Sequence, residues 1–427
     1  MFYSNIREGK DRVYLQMPAV PTVGIFSTRI YYEELKSTIL MTYVEVIKIA
    51  LIFFVLAGSG YAILSIFLVF QFFRPKKYDI KLSPVPVSII KPLRGTDPEL
   101  RENIQSFCRQ DYPKYEVLLG FTESSDSAII EATEIAESLP DRNIRIVVSS
   151  KDIGANRKVS NLQGLLEASK YPLLVVSDSD MRVGEDYLKR IVAEYQSDQR
   201  IGLVTCLYKI TEPKSLGAAF ESLNIALDFI PSVIVARRLE GITFGLGASM
   251  IVSKEALEGI GGFPALAEHL ADDYQLGNRL WKKGFKIVLS DYVIEDVVGR
   301  MSLSEHITHQ LRWARTNRAS RPKGFLGYGI THVLPFSVLV VIVQGHDPLS
   351  LSILGFATLV RLILAIVILQ KVVRKGKWIK WLILLPAKDF LSFGIWIWSF
   401  LGTKVSWRGE RYEILKGGRI KRVRPEL

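Results

Sequence analysis

Long apolar runs constrain the fold of this chain more than any other feature of its sequence. Residues 49–73 form an almost unbroken apolar run of 25 residues, and further runs cover residues 325–345, 349–369 and 381–401. Because about 20 apolar residues match the thickness of a bilayer core, these runs predict a multi-pass integral membrane protein. The charged middle, residues 78–321, is then expected to lie outside the lipid.

The basic residues bunch beside these apolar runs and contribute to the net charge of +12. The flanking groups are Arg74, Lys76, Lys77 and Lys81 after the first run, and Lys371, Arg374, Lys375, Lys377 and Lys380 between the last two. Such placement is typical of cytoplasmic anchoring and of attraction to anionic headgroups, so we expect the lipid bilayer and not nucleic acid as the partner. The two cysteines, Cys108 and Cys206, make no disulfide framework, in agreement with a reducing cytoplasmic face.

The sequence divides into five predicted segments. Residues 1–40 are expected to be a poorly ordered extension, 41–77 the N-terminal transmembrane helix, 78–321 a cytoplasmic domain, 322–403 the C-terminal membrane segments and 404–427 a basic cytoplasmic tail. No motif precedes the first apolar run, so a chain that starts at Met41 is expected to be functional.

The last apolar run conflicts with the charges around it. Basic clusters flank it on both sides, which predicts two cytoplasmic flanks, yet the run is long enough to cross the bilayer once. Its interior holds Pro386, Lys388 and Asp389, and charges in mid-bilayer are costly unless they are paired or close to water. We therefore expect residues 381–401 to enter the cytoplasmic leaflet as a broken or re-entrant segment. Three true spans and a cytoplasmic C-terminus would result.

The middle segment alternates short β-rich runs with helical patterns. Strands are predicted at residues 85–90, 115–121, 144–148, 173–176 and 202–207, and helices at residues 100–110, 127–139, 158–168 and 186–195. This alternation predicts an α/β domain of the nucleotide-binding type, with a mostly parallel sheet whose strand ends face one crevice. The sequence contains neither a P-loop nor a dinucleotide fingerprint, which argues against an NTPase or a dehydrogenase.

A pair of carboxylates follows the predicted strand at residues 173–176. This strand ends in Asp178 and Asp180, two residues apart. The pair suits Mg²⁺ or Mn²⁺, because these hard cations prefer one or two carboxylates together with phosphate oxygens of a substrate. By itself the pair could equally be an acidic turn, and the motifs downstream favour the cation site.

Two downstream motifs add chemistry to this pair. Asp272 and Asp273 lie in the first turn of a predicted helix, where they are a plain helix cap or, in the case of Asp273, a general base. A later predicted helix carries His309, Arg312 and Trp313. This helix is a basic interfacial helix, or it neutralises a pyrophosphate leaving group through Arg312 and His309 while Trp313 lines the acceptor site. Both roles are compatible.

Nine short motifs resemble the membrane-bound inverting glycosyltransferases with the GT-A fold. They are KPLRGTDPEL at 91–100, DYPKYEVLLG at 111–120, GANRKVSNL at 154–162, SDSDMRV at 177–183, GASMIV at 247–252, GGF at 261–263, ADDY at 271–274, HQLRW at 309–313 and SWRGERY at 406–412. The chain resembles most the ceramide glucosyltransferase family and its bacterial relative, the hopanoid glucosaminyltransferase. The likeness covers nearly all of the chain from the first span to the tail.

The resemblance implies roles on the donor side for residues that match these motifs. Glu123 would contact the nucleotide base with Asp126 close by, and Lys158 and Asp178 would bind the donor. Asp180 would bind the divalent cation, Mg²⁺ or Mn²⁺. Glu123 stands where Asp is usual in the family, which is a small change.

On the acceptor side, the resemblance implies that Asp273 is the catalytic base and that Arg312 and Trp313 end a Q-x-x-R-W motif. His309 stands where the Gln of this motif is usual, so the role of that position is open. The ceramide enzymes often have DSG where this chain has DSD at 178–180. This difference favours the bacterial hopanoid branch and hence an inner-membrane location.

These features together predict an inverting glycosyltransferase. It would transfer a single sugar, glucose or N-acetylglucosamine, from a UDP-sugar to the hydroxyl of a hydrophobic membrane lipid, a hopanoid or a ceramide. A processive polysaccharide synthase shares the same carboxylates and motif but normally needs more spans. A non-catalytic membrane scaffold is a further alternative, and the presence of Asp178, Asp180 and Asp273 argues against it.

Overall fold

The computed structural model describes residues 22–74, 84–210, 212–374 and 378–423. Its first element is one long helix, α1 (Thr22–Phe72). This helix begins inside the segment 1–40, for which the sequence predicts a poorly ordered extension, and residues 22–40 form its first part. The reason is local, because no proline and, after Gly24, no glycine interrupts the sequence before Gly58. Residues 1–21 lie outside the described residues.

An eight-stranded mixed sheet forms the centre of the middle domain. Its strands are β1 (Val87–Pro92), β2 (Tyr115–Phe121), β3 (Ile144–Val148), β4 (Leu173–Ser177), β5 (Met181–Arg182), β6 (Ile201–Lys209), β7 (Ser249–Ser253) and β8 (Lys286–Asp296). They lie in the order β3-β2-β1-β4-β7-β6-β8-β5. Neighbours among β1 to β4 are parallel, as are β6 and β8, whereas β7 and β5 run antiparallel to their neighbours. The predicted α/β fold with a mostly parallel sheet is confirmed.

Helices connect these strands and bury the sheet. They are α2 (Leu100–Cys108), α3 (Ala128–Ser138), α4 (Arg157–Ala168), α5 (Tyr187–Gln196), α6 (Leu216–Asn224), α7 (Ile230–Leu239), α8 (Lys254–Gly259) and α9 (Asp272–Lys282). Ile89 and Ile90 point to opposite faces of β1, and neither has exposed surface. Burial of both faces is typical of a parallel sheet between two layers of helices.

Further α-helices follow β8, and all of them except the first carry parts of the last three apolar runs. They are α10 (Leu303–Ser320), α11 (Pro322–Tyr328), α12 (Val333–Gln344), α13 (Pro348–Ile368) and α14 (Leu385–Ser399). Among the described residues, the stretches long and apolar enough to cross a membrane are Glu34–Phe72, Leu216–Leu239, Pro348–Val373 and Ile379–Ser399, with Pro322–Thr331 and Val333–Gln344 as a further pair bent by 60°. The stretch that joins α6 and α7 is mostly buried inside the protein, so it differs from the others. The remaining candidates coincide with the four apolar runs.

Four charged side chains form a buried ion network between α13, α14 and the turn that follows α6. A π-helical turn, Ile225–Phe229, joins α6 to α7 and carries Asp228. Arg361 of α13 donates to Asp389 of α14 at 2.8 and 2.7 Å and to Asp228 at 2.7 Å. Lys388 donates to Asp228 and, at 3.2 Å, to Asp389. Two acids and two bases thus receive the pairing that buried charges require.

The predicted basic tail is folded as a small sheet. Its strands β9 (Lys404–Trp407), β10 (Glu410–Ile414) and β11 (Ile420–Arg422) are antiparallel in the order β11-β10-β9. Arg315 of α10 donates to the main-chain oxygens of Leu401 at 2.7 Å and Lys404 at 2.5 Å. The N–H of Ile420 donates to the carbonyl of Glu268 at 2.8 Å. The tail therefore packs on α10 and on the loop before α9.

Candidate active site

Carboxylates meet at the edge of the sheet where β4 ends. Asp178 follows β4, and Asp273 lies in the first turn of α9. Asp273 accepts hydrogen bonds from the main-chain N–H groups of Gly247 and Tyr274, both at 2.7 Å. A Cβ atom added at Gly247 would lie 3.1 Å from Asp273 Oδ2 and 3.5 Å from Asp178 Oδ2. The two carboxylates therefore flank Gly247, whose missing side chain lets the backbone approach Asp273.

Lys158 connects the carboxylates of β4 and α9. Its Nζ atom lies 2.5 Å from Asp178 and 3.7 Å from Asp272. Burial alone would lower the pKa of Lys158, but these carboxylates raise it well above its ordinary value. Asn156 caps α4 by accepting from the N–H of Lys158 at 3.0 Å, and it also donates to Asp272 at 3.4 Å. Lys158 is therefore a charged and firmly positioned side chain.

The two carboxylates of α9 differ in what surrounds them. Burial raises the pKa of Asp272 to about 6 and also raises the pKa of Asp273, while Lys158 opposes both shifts. Among the residues that the structure describes, Asp272 is held by Lys158 and Asn156, whereas Asp273 accepts hydrogen bonds from main-chain N–H groups. A carboxylate with a raised pKa is a stronger base, so both carboxylates of α9 bind a proton more tightly than an exposed aspartate does.

Asp180 has a buried oxygen that could hold a cation. Its Oδ1 atom has no hydrogen-bond partner. Burial, together with the nearby carboxylates of Asp178 and Asp97, raises the pKa of Asp180 to about 6. An unpartnered buried carboxylate oxygen suits a hard divalent cation. Within the part of the chain that the structure describes, no group of three or more His, Cys, Asp or Glu side chains forms a metal site. A cation here would therefore take further ligands from a substrate or from water.

Asp97 and Arg408 also belong to this site, and the sequence analysis missed both. Asp97 accepts a hydrogen bond from Ser179, the residue between Asp178 and Asp180. It also accepts two hydrogen bonds from Arg408, at 2.7 and 3.1 Å. The two residues are 311 positions apart, so no local pattern relates them. Their membership of the first and last family motifs was the available signal.

The sequence analysis also missed two further titratable side chains near these carboxylates. Lys91, in β1, donates to the main-chain oxygen of Asp178 at 2.6 Å, and its Nζ lies 3.8 Å from the centre of the Phe107 ring. Burial lowers the pKa of Lys91 to about 7, against the attraction of Asp180 and Asp178. Burial and the charge of Asp180 raise the pKa of Asp296, the last residue of β8, well above its ordinary value. Both are buried titratable groups that the neighbouring carboxylates affect.

Glu123 and Asp126 follow β2 and differ in their contacts. Glu123 is exposed and pairs with Arg157 at 3.1 Å. Asp126 accepts hydrogen bonds at 3.0 Å from the N–H groups of Gly95 and Ala128, so it ties the loop after β1 to the start of α3. Glu123 is therefore open to a ligand, whereas Asp126 is engaged in shaping the loop.

Buried Glu221 of α6 fixes one face of α10. The carboxylate lies 2.6 Å from His306 Nδ1, 2.9 Å from His309 Nδ1 and 3.0 Å from Gln310 Nε2. His309, the position where the family usually has Gln, is thus held by a carboxylate from another helix. These contacts set the rotation of α10 and hence the direction of its next turn.

Arg312 and Trp313 lie on that next turn. The Trp313 ring centre lies 6.0 Å from Phe229 and 6.3 Å from Tyr208, so these rings form one aromatic wall. The Arg312 guanidinium lies 5.9 Å from the centre of the Trp407 ring. Burial lowers the pKa of Arg312 to about 10, which keeps it charged at neutral pH. α10 therefore presents a cation and an aromatic wall together.

Comparison with known proteins identifies the family of this chain. The family model described as glycosyl transferase family 21 matches residues 50–420. Ceramide glucosyltransferase 3 of Caenorhabditis elegans is 25% identical over 345 residues, which are 78% of this chain and 74% of that protein. Ceramide glucosyltransferase 1 of the same organism is 24% identical over 363 residues, which are 80% of this chain and 75% of that protein.

A solved structure supports the fold. The mannosyltransferase of Pyrobaculum calidifontis, in complex with GDP-Man and Mn²⁺, matches with a TM-score of 0.54 and 18% identity. The match covers 84% of this chain and 99% of that one. At this identity the likeness concerns the fold alone, and it confirms the predicted GT-A type. Because the family model also covers most of the chain, this protein is a glycosyltransferase that belongs to family 21.

Proposed function

We propose that this protein transfers a single hexose from a UDP-sugar to the hydroxyl group of a membrane lipid. The observation that carries the proposal is that Asp178 and Asp273 meet beside Gly247, while α10 adds a cation and an aromatic wall. The names of the ceramide glucosyltransferases of C. elegans support glucose as the sugar and ceramide as the lipid. N-acetylglucosamine and a hopanoid are the alternative pair, which the DSD motif favours.

The donor diphosphate would be bound with a divalent cation, Mg²⁺ or Mn²⁺. Asp180 would hold this cation through its unpartnered Oδ1 atom, and phosphate oxygens would complete the coordination. A bound cation would neutralise negative charge on the departing UDP. The Mn²⁺ in the complex of the similar mannosyltransferase supports this assignment. Lys158 would fix Asp178 beside the donor, and Glu123 would contact the base.

Asp273 would be the general base of the transfer. The N–H groups of Gly247 and Tyr274 hold its two oxygens, so the carboxylate is oriented before any substrate binds. The lipid hydroxyl would give its proton to Asp273 while its oxygen forms a bond to the anomeric carbon. The bond from that carbon to the UDP oxygen would break, with its electron pair staying on UDP. This single displacement inverts the anomeric centre, and Arg312 would stabilise the departing UDP.

The aromatic wall would receive the lipid. Trp313, Phe229 and Tyr208 form its rings, and Phe229 ends the π-helical turn that carries Asp228. This turn packs against α13, one of the candidate spans. An apolar acceptor that moves along the membrane helices would therefore reach the wall.

Purified protein in lipid nanodiscs tests the proposed function. UDP-glucose and UDP-N-acetylglucosamine are each supplied with ceramide or with a hopanoid, and the glycolipids are identified by mass spectrometry. We expect a product with one sugar in the presence of Mn²⁺ and no product after chelation. A product with several sugars would favour the processive synthase. Absence of UDP release with every pair would favour the scaffold.

A further inference from the structure

The turn between β9 and β10 holds a long charged side chain in a conformation that favours glycine. Arg408 has a φ of 48° and Gly409 a φ of 80°. Two-residue hairpin turns with positive φ at both positions normally use Asn, Asp or Gly. A residue such as Arg is uncommon in this region of backbone space. The geometry of the turn does not account for an arginine at position 408, so we looked to the contacts of its side chain for the reason.

That side chain points into the carboxylate site. Its two terminal nitrogens donate to Asp97 at 2.7 and 3.1 Å, and Asp97 also accepts from Ser179 of the DSD motif. The side chain keeps 39% of its surface exposed, so the guanidinium is not closed off by protein. Arg408 is thus the tail's contribution to the electrostatics of the site.

The other side chains of the hairpin contact charged residues on two sides. Glu410 pairs with Arg94 at 3.3 Å and with Arg157 at 3.1 Å, and Arg157 also pairs with Glu123. On the other side, the Trp407 ring lies 5.9 Å from the Arg312 guanidinium. The hairpin therefore connects the exposed carboxylate after β2 with the cationic turn of α10.

Two guanidinium groups approach each other at this crevice. Burial lowers the pKa of Arg312, and the charge of Arg408 lowers it further, although Glu221 and Tyr208 act in the opposite direction. Two cations of like charge close to each other make a favourable place for a polyvalent anion. A diphosphate suits it, because the planar fork of a guanidinium matches the oxygens of phosphate groups.

We infer that Arg408 binds the diphosphate of the nucleotide-sugar donor and that the hairpin at residues 407–410 caps the donor site. The inference rests on the proposed function. Asp97 is a positioning residue in this arrangement, because it orients the guanidinium between the turn and Ser179. The C-terminal tail is then part of the donor site and not a passive basic anchor.

Arg408→Gly separates a binding role from a structural role. Glycine favours the backbone conformation of this turn, so the melting temperature is expected to stay equal or to rise. Loss of the charged fork is expected to raise the Kd of UDP, measured by calorimetry with Mn²⁺, by about tenfold or more. Arg408→Lys should give an intermediate Kd because it keeps the charge and loses the fork. Arg411→Ala, an exposed arginine of β10, is the matched control and should change neither quantity.

The outcomes distinguish the possible failures. A normal Kd together with a lower melting temperature in Arg408→Gly would make Arg408 a structural residue and overturn the inference. A normal Kd with a normal melting temperature would overturn it as well. If the wild-type protein bound no UDP with Mn²⁺, the proposed function itself would fall, and the wild-type titration alone reveals that case.

Discussion

The buried ion network and the carboxylate site are built from the same kinds of side chains but differ in how completely they are paired. In the network, both carboxylates have basic partners within 3.2 Å. At the carboxylate site, Lys158 pairs with Asp178, whereas Asp180 keeps a buried oxygen without a partner. The network is a closed set, in which every charge has a partner. Loss of one partner would leave a buried charge uncompensated, so the closed set stabilises the fold. The carboxylate site is an open set, because one of its oxygens has no partner. Such incomplete pairing together with perturbed pKa values is typical of a site that acts on a ligand.

The largest effect is expected at Asp273, in the open set. Removal of a general base lowers turnover by about 10²- to 10⁴-fold, so Asp273→Asn should reduce glycolipid formation to near background. The Kd of UDP with Mn²⁺ should stay near the wild-type value, because the base acts on the acceptor and not on the donor. Steady-state transfer assays and calorimetry measure the two quantities. Wild-type turnover in this variant would reduce Asp273 to a helix cap.

The second-largest effect is expected in the closed set, where a substitution should lower the stability of the protein. Asp389→Asn leaves Arg361 and Lys388 with one carboxylate between them, and breaking a buried pair costs about 3–5 kcal/mol. Thermal unfolding in detergent should therefore show a clear fall in melting temperature.

Two further variants control this stability measurement. The double variant Arg361→Met with Asp389→Leu removes both charges and should recover part of the loss. Arg101→Met breaks a partly exposed pair with Glu134 and should cost about 1 kcal/mol or less. An unchanged melting temperature in Asp389→Asn would contradict the structural role of the network.

The last prediction concerns the position of the closed set relative to the bilayer, and its variants are expected to change activity least. We propose that residues 381–401 re-enter the leaflet, and contacts at both flanks support this. Lys209 of β6 donates to the main-chain oxygens of Val372 and Val373 at 3.1 and 3.2 Å, and the tail beyond α14 packs on α10. Both flanks therefore lie against the same domain. Pairing of Lys388 and Asp389 removes the electrostatic objection to a full crossing, so these contacts now carry the proposal.

Cysteine labelling in sealed vesicles decides this topology. Positions 374, 416 and 346 are exposed. The variants Arg374→Cys and Lys416→Cys should be labelled from the same side of the membrane without loss of activity. His346→Cys, between α12 and α13, should be labelled from the other side. The native Cys108 and Cys206 are buried, which limits background labelling. Labelling of positions 374 and 416 from opposite sides would show a full span.

Much of the open set could be predicted from sequence because it depends on local pattern. The apolar run of β4 ends at Ser177, and the acidic pair follows at once. The first four strands match their predictions to within two residues because each is a short apolar run between turn residues. The first turn of α9 likewise follows from acidic residues before a helical pattern.

Contacts between distant parts of the chain could not be predicted in this way. The antiparallel strand β7 lies between β4 and β6, a placement that depends on pairing across the whole domain. Asp97 meets Arg408 only because the tail folds as a sheet on α10. The network around Asp228 depends on a π-helical turn, whose extra residue leaves no clear mark in the apolar periodicity.

The affinity of UDP in the presence of Mn²⁺ tests the open carboxylate site most directly. Calorimetry is performed on the wild-type protein and on Asp180→Asn, with Asn replacing the side chain that has the unpartnered oxygen. We predict that Asp180→Asn raises the Kd of UDP by about tenfold or more, which corresponds to about 1.4 kcal/mol. Chelation of Mn²⁺ should strongly weaken UDP binding in the wild-type protein only. Equal Kd values for the two proteins, with and without Mn²⁺, would contradict it.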